Sequence, residues 1–246
     1  MISSPKIDVL IPAHNEEAAL PPLLNEIDRD PLRRIVVVDN GSTDRTAAVA
    51  EEHGCTVVSC PQPGYGNACL AGMAFMADDP PDLLVFLDGD RSDYPEHLPE
   101  LTGPIIEGSH DLVLGSRVKG QAEKGSLTLP QRFGNALATG LMRWFWKTSY
   151  TDLGPFRAIR WSSLQLLEMQ DRNFGWTIEM QIKASLRGLR IMEVPVKYRK
   201  RIGVSKVSGT LKGVIGAGYK ILFTIFKYRF LVGGRAGAPR PVDGTP

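Results

Sequence analysis

Leu83-Leu84-Val85-Phe86-Leu87-Asp88-Gly89-Asp90 is the stretch on which the reading of the fold turns. Five unbroken apolar residues fit a strand buried on both faces, as the strands of a parallel sheet are. Two acids follow it directly, and in open α/β sheets binding sites lie at the carboxyl ends of the strands. The same rhythm runs upstream. Ile7–Ile11 reads as a strand and Glu16–Asp28 as a helix; Arg34–Val38 is a β-branched strand, and Asp44–His53 a helix with Ser42-Thr43-Asp44 near its start. Thr56–Ser59 and Gly66–Met76 form a third strand–helix pair, and Leu112–Leu114 is a fifth strand. The alternation predicts an α/β fold, a mostly parallel Rossmann-like sheet flanked by helices. Its rim would carry Pro12–Glu17, Asp39–Asp44 and Asp88–Asp93.

Downstream the pattern loosens. Gly115–Pro130 reads as a mobile loop of Gly, Lys, Gln and Ser. Gln131–Lys147 is helical and nearly apolar all round, ending in Trp144-Phe145-Trp146. Ser162–Gln170 and Thr177–Arg187 are further helices, and Arg190–Tyr198 is an extended strand. Thr210–Leu231 reads as a long helix, apolar except for Lys212, Lys220, Lys227 and Arg229. The 246 residues fit one large domain with appendages. The expected division is a catalytic domain over 1–209, an amphipathic, membrane-interfacial helix over 210–232, and a disordered Gly- and Pro-rich tail over 233–246.

Composition narrows the partners. The net charge of +2 gives no footprint for a nucleic acid. The stretch Lys197 to Lys227 nevertheless carries Lys and Arg with no acid, which suits phosphates or an anionic membrane surface. Cys55, Cys60 and Cys69 form no metal pattern and fit buried thiols in a reducing compartment. Ile7–Ile11 is too short for a signal peptide and is broken by Asp8, and no run is apolar for long enough to span a bilayer. The expectation is a cytoplasmic protein, peripheral at the inner face of the membrane.

The chemistry concentrates at Asp88 and Asp90. Adjacent carboxylates at a strand end repel unless a cation joins them. Hard oxygen ligands favour Mg²⁺ or Mn²⁺, which commonly hold one or two protein carboxylates and take the rest from substrate phosphates and water. An ordinary acidic turn is the bland reading; the position after a buried strand weighs against it. A calcium loop starting at Asp88 fails, because its sixth position is Asp93 instead of Gly and its twelfth is Pro99. Asp39, after Val36-Val37-Val38, could accept base or ribose donors or simply form an Asx turn. Gly64-Tyr65-Gly66 lacks the third glycine of a dinucleotide fingerprint.

Three segments in this order and spacing, Ile11-Pro12-Ala13-His14-Asn15-Glu16-Glu17, Val38-Asp39-Asn40-Gly41-Ser42-Thr43-Asp44 and Leu87-Asp88-Gly89-Asp90, resemble glycosyltransferase family 2 with the GT-A fold. Gly115-Ser116-Arg117, Thr151-Asp152-Leu153-Gly154-Pro155-Phe156-Arg157 and the stretch from Tyr198 to Lys206 are similar to the dolichol- or polyprenyl-phosphate mannose synthase branch. The resemblance implies an inverting, metal-dependent hexosyltransferase that uses a nucleotide-diphosphate sugar. It implies that Pro12, Glu16 and Asp39 hold base and ribose, with His14 lining that pocket. Asp88 would help bind the donor and Asp90 would ligate the metal. Arg117 and Arg132 match basic positions that hold phosphate, Arg201 a mobile arginine that closes over the diphosphate, and Glu179 an acidic position in the sugar pocket.

Two departures stand out. The family segment after the second aspartate usually reads Leu-Gln-His; here it is Arg91-Ser92-Asp93, so Ser92 or, better suited, Asp93 takes the place of the metal-binding glutamine. The loop before Gly203 is one residue shorter than in the mannose synthases, which leaves GDP-mannose, UDP-glucose and a UDP-amino sugar open as donors. A sugar hydroxyl acceptor needs a general base, and the expected acidic pair is missing, with Asp152 and Glu179 standing singly. A polyprenyl phosphate is already ionised and needs cations, which Arg117, Lys119, Arg132, Arg157, Arg201 and Lys206 would supply. The rival readings are a soluble family 2 enzyme with a hydroxyl acceptor, a nucleotidyltransferase, and a catalytically inactive membrane adaptor. A homo-oligomer or a membrane-anchoring partner is also compatible with the apolar helices.

Overall fold

The computed structural model describes residues 4–203 and 211–232. Seven strands form one sheet in the order β3-β2-β1-β4-β6-β5-β7. The strands are β1 (Ile7–Ala13), β2 (Leu32–Asp39), β3 (Thr56–Ser59), β4 (Leu83–Phe86), β5 (Leu112–Ala122), β6 (Arg157–Arg160) and β7 (Ile191–Tyr198). All neighbours are parallel except β6, which runs antiparallel between β4 and β5. Helices α1 (Leu20–Glu26), α2 (Thr46–Glu52), α3 (Tyr65–Met76), α4 (Leu98–Ile106), α5 (Leu129–Trp146), α6 (Trp161–Leu167), α7 (Trp176–Leu186) and α8 (Leu211–Phe226) complete the fold, and α8 runs on as a π-helical stretch, Lys227–Val232.

The sheet is buried on both faces because its central strands carry apolar runs, Val9–Ile11, Ile35–Val38 and Leu83–Phe86. The period of two then divides them between two cores. Leu10, Val36, Val38, Leu84 and Phe86 pack with residues of α3, α5 and α7. Val9, Ile11, Val37, Leu83 and Val85 pack with α1, α2 and α4. Asp8, which interrupts the apolar run of β1, is fully buried. Its carboxylate accepts from Arg33 (Nε 2.9 Å, Nη2 2.7 Å) and Arg34 (Nε 2.8 Å) at the start of β2. A buried charge is tolerated when it is paired and hydrogen-bonded.

Several expectations change. The helix after β1 begins at Leu20 instead of Glu16, because the backbone of Glu16 and Glu17 is bonded to the segment Asp44–Thr46. Their amides donate to Thr46 Oγ1 (2.8 Å) and Asp44 Oδ2 (3.3 Å). The stretch Gly115–Pro130 is a strand as far as Ala122, since β7 offers it a partner over two stretches on either side of an irregularity. Past the part paired with β6, the side chains of Val118, Lys119 and Gln121 on this strand are exposed. Helix α5 starts at Leu129 because Thr128 forms a capping box with Gln131. Strand β6 and helix α4, with the short 3₁₀ turn Pro95–His97 before it, are elements the sequence pattern did not resolve. Thr210, Lys206 and the tail expected over 233–246 lie outside the described residues. Among the described residues no helix is long and apolar enough to cross a membrane.

Replacing Asp8 with Ala leaves Arg33 and Arg34 facing a gap at the sheet. The expected loss is about 3 kcal/mol of stability, read as a lower denaturant midpoint with an unchanged slope.

Candidate active site

The carboxyl ends of β1, β2 and β4 open on one cavity of about 400 Å³. Pro12, His14 and Glu16 line it from the loop after β1, Asn40 from the loop after β2, and Asp88, Gly89 and Asp90 from the turn after β4. Gly64, Tyr65 and Ala68 close one side, Asn173 and Phe174 another, and Arg201 reaches in from the segment after β7.

Two loops lock together to hold this rim. Asn15, at φ 55°, accepts from the Thr43 amide (2.7 Å), and its own amide donates to Ser42 Oγ (2.9 Å). Asn40 donates to the Cys60 and Gln62 carbonyls (2.9 and 2.6 Å) and accepts from the Gly64 amide (2.9 Å). Asp39 is half-buried at the end of β2 and accepts the Ser42 amide (3.1 Å), an Asx-type turn; Asn40, one residue on, is the cavity wall.

The carboxylates after β4 are crowded. Asp90 is buried, accepts the Ser92 amide (2.8 Å) and pairs with Arg201 (3.1 Å). Arg201 also pairs with Glu16 (3.0 Å), so the guanidinium bridges the two sides of the cavity. Burial, and then the neighbouring Asp90 charge, push the Asp88 carboxyl up to about 7, against the pull of the facing Tyr65 phenol and of Arg201. Asp93 has no exposed surface, and neither of its oxygens has a hydrogen-bond partner. Burial first and the Asp88 charge second raise it well above the carboxylate range, with Arg117 opposing.

This arrangement bears on a metal. Among the described residues no three His, Cys, Asp or Glu side chains are gathered as a ligand set, so Asp88, Asp90 and Asp93 do not form a closed protein cage. Asp88 Oδ1 is buried without a hydrogen-bond partner beside a second carboxylate. Such a pair suits a divalent ion that takes its remaining ligands from phosphate and water.

The departure at Arg91-Ser92-Asp93 has a structural account. Arg91, at φ 62°, turns its side chain away from the cavity to Glu26 at the end of α1. Glu26 also accepts from Arg199, which lies over the Tyr94 ring at 4.3 Å. The Arg199 amide donates to Ser92 O (2.9 Å), the Ile202 amide to Asp90 O (3.0 Å), and Asp93 forms an antiparallel bridge with Tyr198. The Asp-Gly-Asp turn is thereby joined to the segment that carries Arg201.

Other expected residues lie elsewhere. Arg117 binds Asp152 through Nε (2.8 Å) and Nη2 (2.7 Å) and stacks over Tyr198 at 5.0 Å. With Arg132 it lines a groove of about 750 Å³ between β5 and α5. Glu179, expected in the sugar pocket, is 2% exposed and faces away from the cavity toward α8, where it accepts from Tyr228 (2.8 Å) and pairs with Lys183 (2.9 Å). Arg157 is buried and donates to the Gly154 and Thr177 carbonyls, so it is part of the core and offers no cation to an acceptor.

Tyr65, Asn173 and Phe174 carried no signal of their own in the sequence. The glycines flanking Tyr65 did. Gly64 sits at φ 131°, and a Cβ on Gly66 would collide with the Asp171 carbonyl. The pair is glycine so that the 171–174 segment can close over the start of α3.

Comparison with known proteins gives the family and the fold. The family model described as glycosyl transferase family 2 matches residues 8–167. An uncharacterized glycosyltransferase of Mycobacterium tuberculosis (strain ATCC 25618 / H37Rv) is 37% identical over 212 residues, covering 85% of this chain and 93% of that protein. A dolichyl-phosphate hexose transferase of Haloferax volcanii is 35% identical over 204 residues, covering 81% and 85%. An undecaprenyl-phosphate mannosyltransferase of Micrococcus luteus is 28% identical over 223 residues, covering 86% and 90%. Among solved structures, the glucosyl-3-phosphoglycerate synthase of M. tuberculosis in complex with Mn²⁺, UDP and phosphoglyceric acid superposes with a TM-score of 0.72 at 23% identity, covering 98% of this chain and 82% of that one. That likeness is one of fold, and the fold is GT-A. With the family model spanning most of the chain and both rim loops and the Asp88-Gly89-Asp90 turn in place around one cavity, the chain belongs to glycosyltransferase family 2.

Proposed function

We propose that this glycosyltransferase moves a hexose, with inversion, from a nucleotide-diphosphate sugar to a polyprenyl phosphate at a membrane surface. The observation that carries the acceptor is the fate of the two acids available as general bases. Asp152 lines the basic groove, but both of its oxygens are engaged by Arg117. Glu179 points away from the cavity and is held by backbone amides, Lys183 and Tyr228. A hydroxyl nucleophile would find neither free to take its proton, whereas an ionised phosphate needs none. The names of the H. volcanii and M. luteus relatives point the same way.

In this reading Pro12, His14 and Glu16 hold base and ribose, with Asp39 at the rim. Asp88 and Asp90 would hold Mg²⁺ or Mn²⁺, which supplies positive charge against the departing diphosphate. Asp93, fully buried and not among the residues that line the cavity, is not assigned to the metal. Arg201 neutralises the diphosphate as the bond to the anomeric carbon breaks. Arg117, Arg132 and Arg143 along the groove orient the acceptor phosphate, whose oxygen forms the new bond from the opposite face. Asp88 stabilises the positive charge developing on the sugar ring.

The membrane part rests on an exposed apolar face. Leu129, Phe133 and Trp144 on α5 are at least 71% exposed, and Ile215 and Tyr219 on α8, with Phe230 beyond it, at least 62%. Phe145 packs against Phe226 and Phe230 (6.0 and 6.2 Å), so the two helices present one surface. Aromatics with interspersed Arg and Lys suit a bilayer interface.

A panel of radiolabelled sugar nucleotides, run with and without polyprenyl phosphate, tests the reading; turnover that ignores the lipid phosphate would favour a hydroxyl acceptor. Asp90→Ala should lose turnover by about a thousandfold, and chelation should do the same to the wild type, reversed by Mn²⁺ or Mg²⁺. Arg132→Ala should raise the KM for the lipid phosphate by roughly tenfold with donor KM unchanged.

A further inference from the structure

The donor cavity has a wall, the turn at Asp171–Phe174, that is not held by the sheet. Asn173 and Phe174 face the cavity from this turn. On its other side the turn touches α8 through a separate polar cavity of about 320 Å³. Glu179 accepts the Asp171 amide (2.7 Å) and the Gln170 amide (3.1 Å), and the Tyr228 hydroxyl donates to the same carboxylate (2.8 Å). Asp171 accepts the Asn173 and Gly175 amides (2.8 and 3.0 Å), while its second oxygen pairs with Lys220 (2.9 Å). Arg172 O then receives the Asn67 amide (3.0 Å), placing the turn against Gly64 and Gly66 beside Tyr65.

We propose that Tyr228 and Lys220 are positioning residues for the donor: acting through Glu179 and Asp171, the C-terminal helix sets the wall of the nucleotide-sugar cavity. The proposal rests on the reading of that cavity as the donor site. Three features carry it. The contacts are polar and directional, so they define a position and not merely an attachment. Glu179 is 2% exposed and gathers the Gln170 and Asp171 amides, Lys183 and Tyr228 on one carboxylate, so losing the Tyr228 donor lets that carboxylate re-centre on the remaining donors and shifts the turn it holds. Both helix residues lie on the far side of the turn from the cavity, so neither touches the donor itself.

The test is the binding of UDP and GDP with Mn²⁺, by calorimetry, to the full chain and to Tyr228→Phe and Lys220→Met, with unfolding midpoints alongside. Each change removes one hydrogen bond or ion pair and should weaken the better-bound nucleotide about fivefold. In turnover assays the donor KM should rise by the same factor, with kcat and the acceptor KM nearly unchanged. A role confined to general stability would lower the unfolding midpoint and leave the dissociation constant where it was. If the wild type binds nucleotide and both variants bind equally well, the proposal is overturned and the donor cavity stands. If the wild type binds neither nucleotide, the cavity reading and the proposal fall together.

Discussion

Three acids, Asp88, Asp90 and Asp93, follow one fully buried strand within six residues, and their mutual repulsion is the constraint that the surrounding structure answers. Water cannot answer it, since Asp90 and Asp93 are buried. Cations do so from two sides. Arg201 arrives from beyond β7 to pair with Asp90, and Arg117 arrives from β5 near Asp93. In a low-dielectric setting such charges are far stronger partners than on a surface. Burial first, and the neighbouring carboxylate charge second, raise the Asp88 and Asp93 carboxyls, so added positive charge would stabilise their ionised forms. In the proposed reading a divalent ion would supply that charge, and the donor diphosphate would supply ligands to complete its shell.

Placing those cations demands long-range order. Residue 201 meets residues 16 and 90 only because the segment after β7 is stitched to the Asp-Gly-Asp turn by backbone bonds at Ser92 and Asp90 and by the Glu26 cluster outside. Arg91 thus has a structural task where the family more often has an apolar residue. The same economy is seen at Arg117: its ion pair with Asp152 fixes the guanidinium between the carboxylate cluster and the basic groove. The carboxylate cluster and the basic groove share one ionic framework.

Much of this was legible beforehand where the code is local. The two-face burial of β1, β2 and β4 follows from unbroken apolar runs, and the rim follows from their order. The capping box at Thr128 was missed although Thr-x-x-Gln is a local signal, because the Gly- and Lys-rich stretch before it reads as a loop. Strand β6 was not legible: four residues, two of them arginine, become a strand only because β4 and β5 leave an antiparallel slot between them. Glu179 shows the same limit at the site. Its spacing matched an acidic position of the family, yet its carboxylate is turned to Tyr228, a partner 49 residues away.

By itself the sequence determined the alternation of strand and helix, the rim on which Pro12, Asp39 and Asp88 stand, and the family. These rest on periodicity and on short motifs whose geometry the neighbouring backbone sets. Tertiary structure alone decided which charges meet. Arg201 with Glu16 and Asp90, Arg117 with Asp152, and Glu26 with Arg91 and Arg199 are pairs separated by up to 185 positions. Their choice among many arginines is made by strand order and burial, which desolvates some carboxylates and leaves others in water, and no local pattern encodes that.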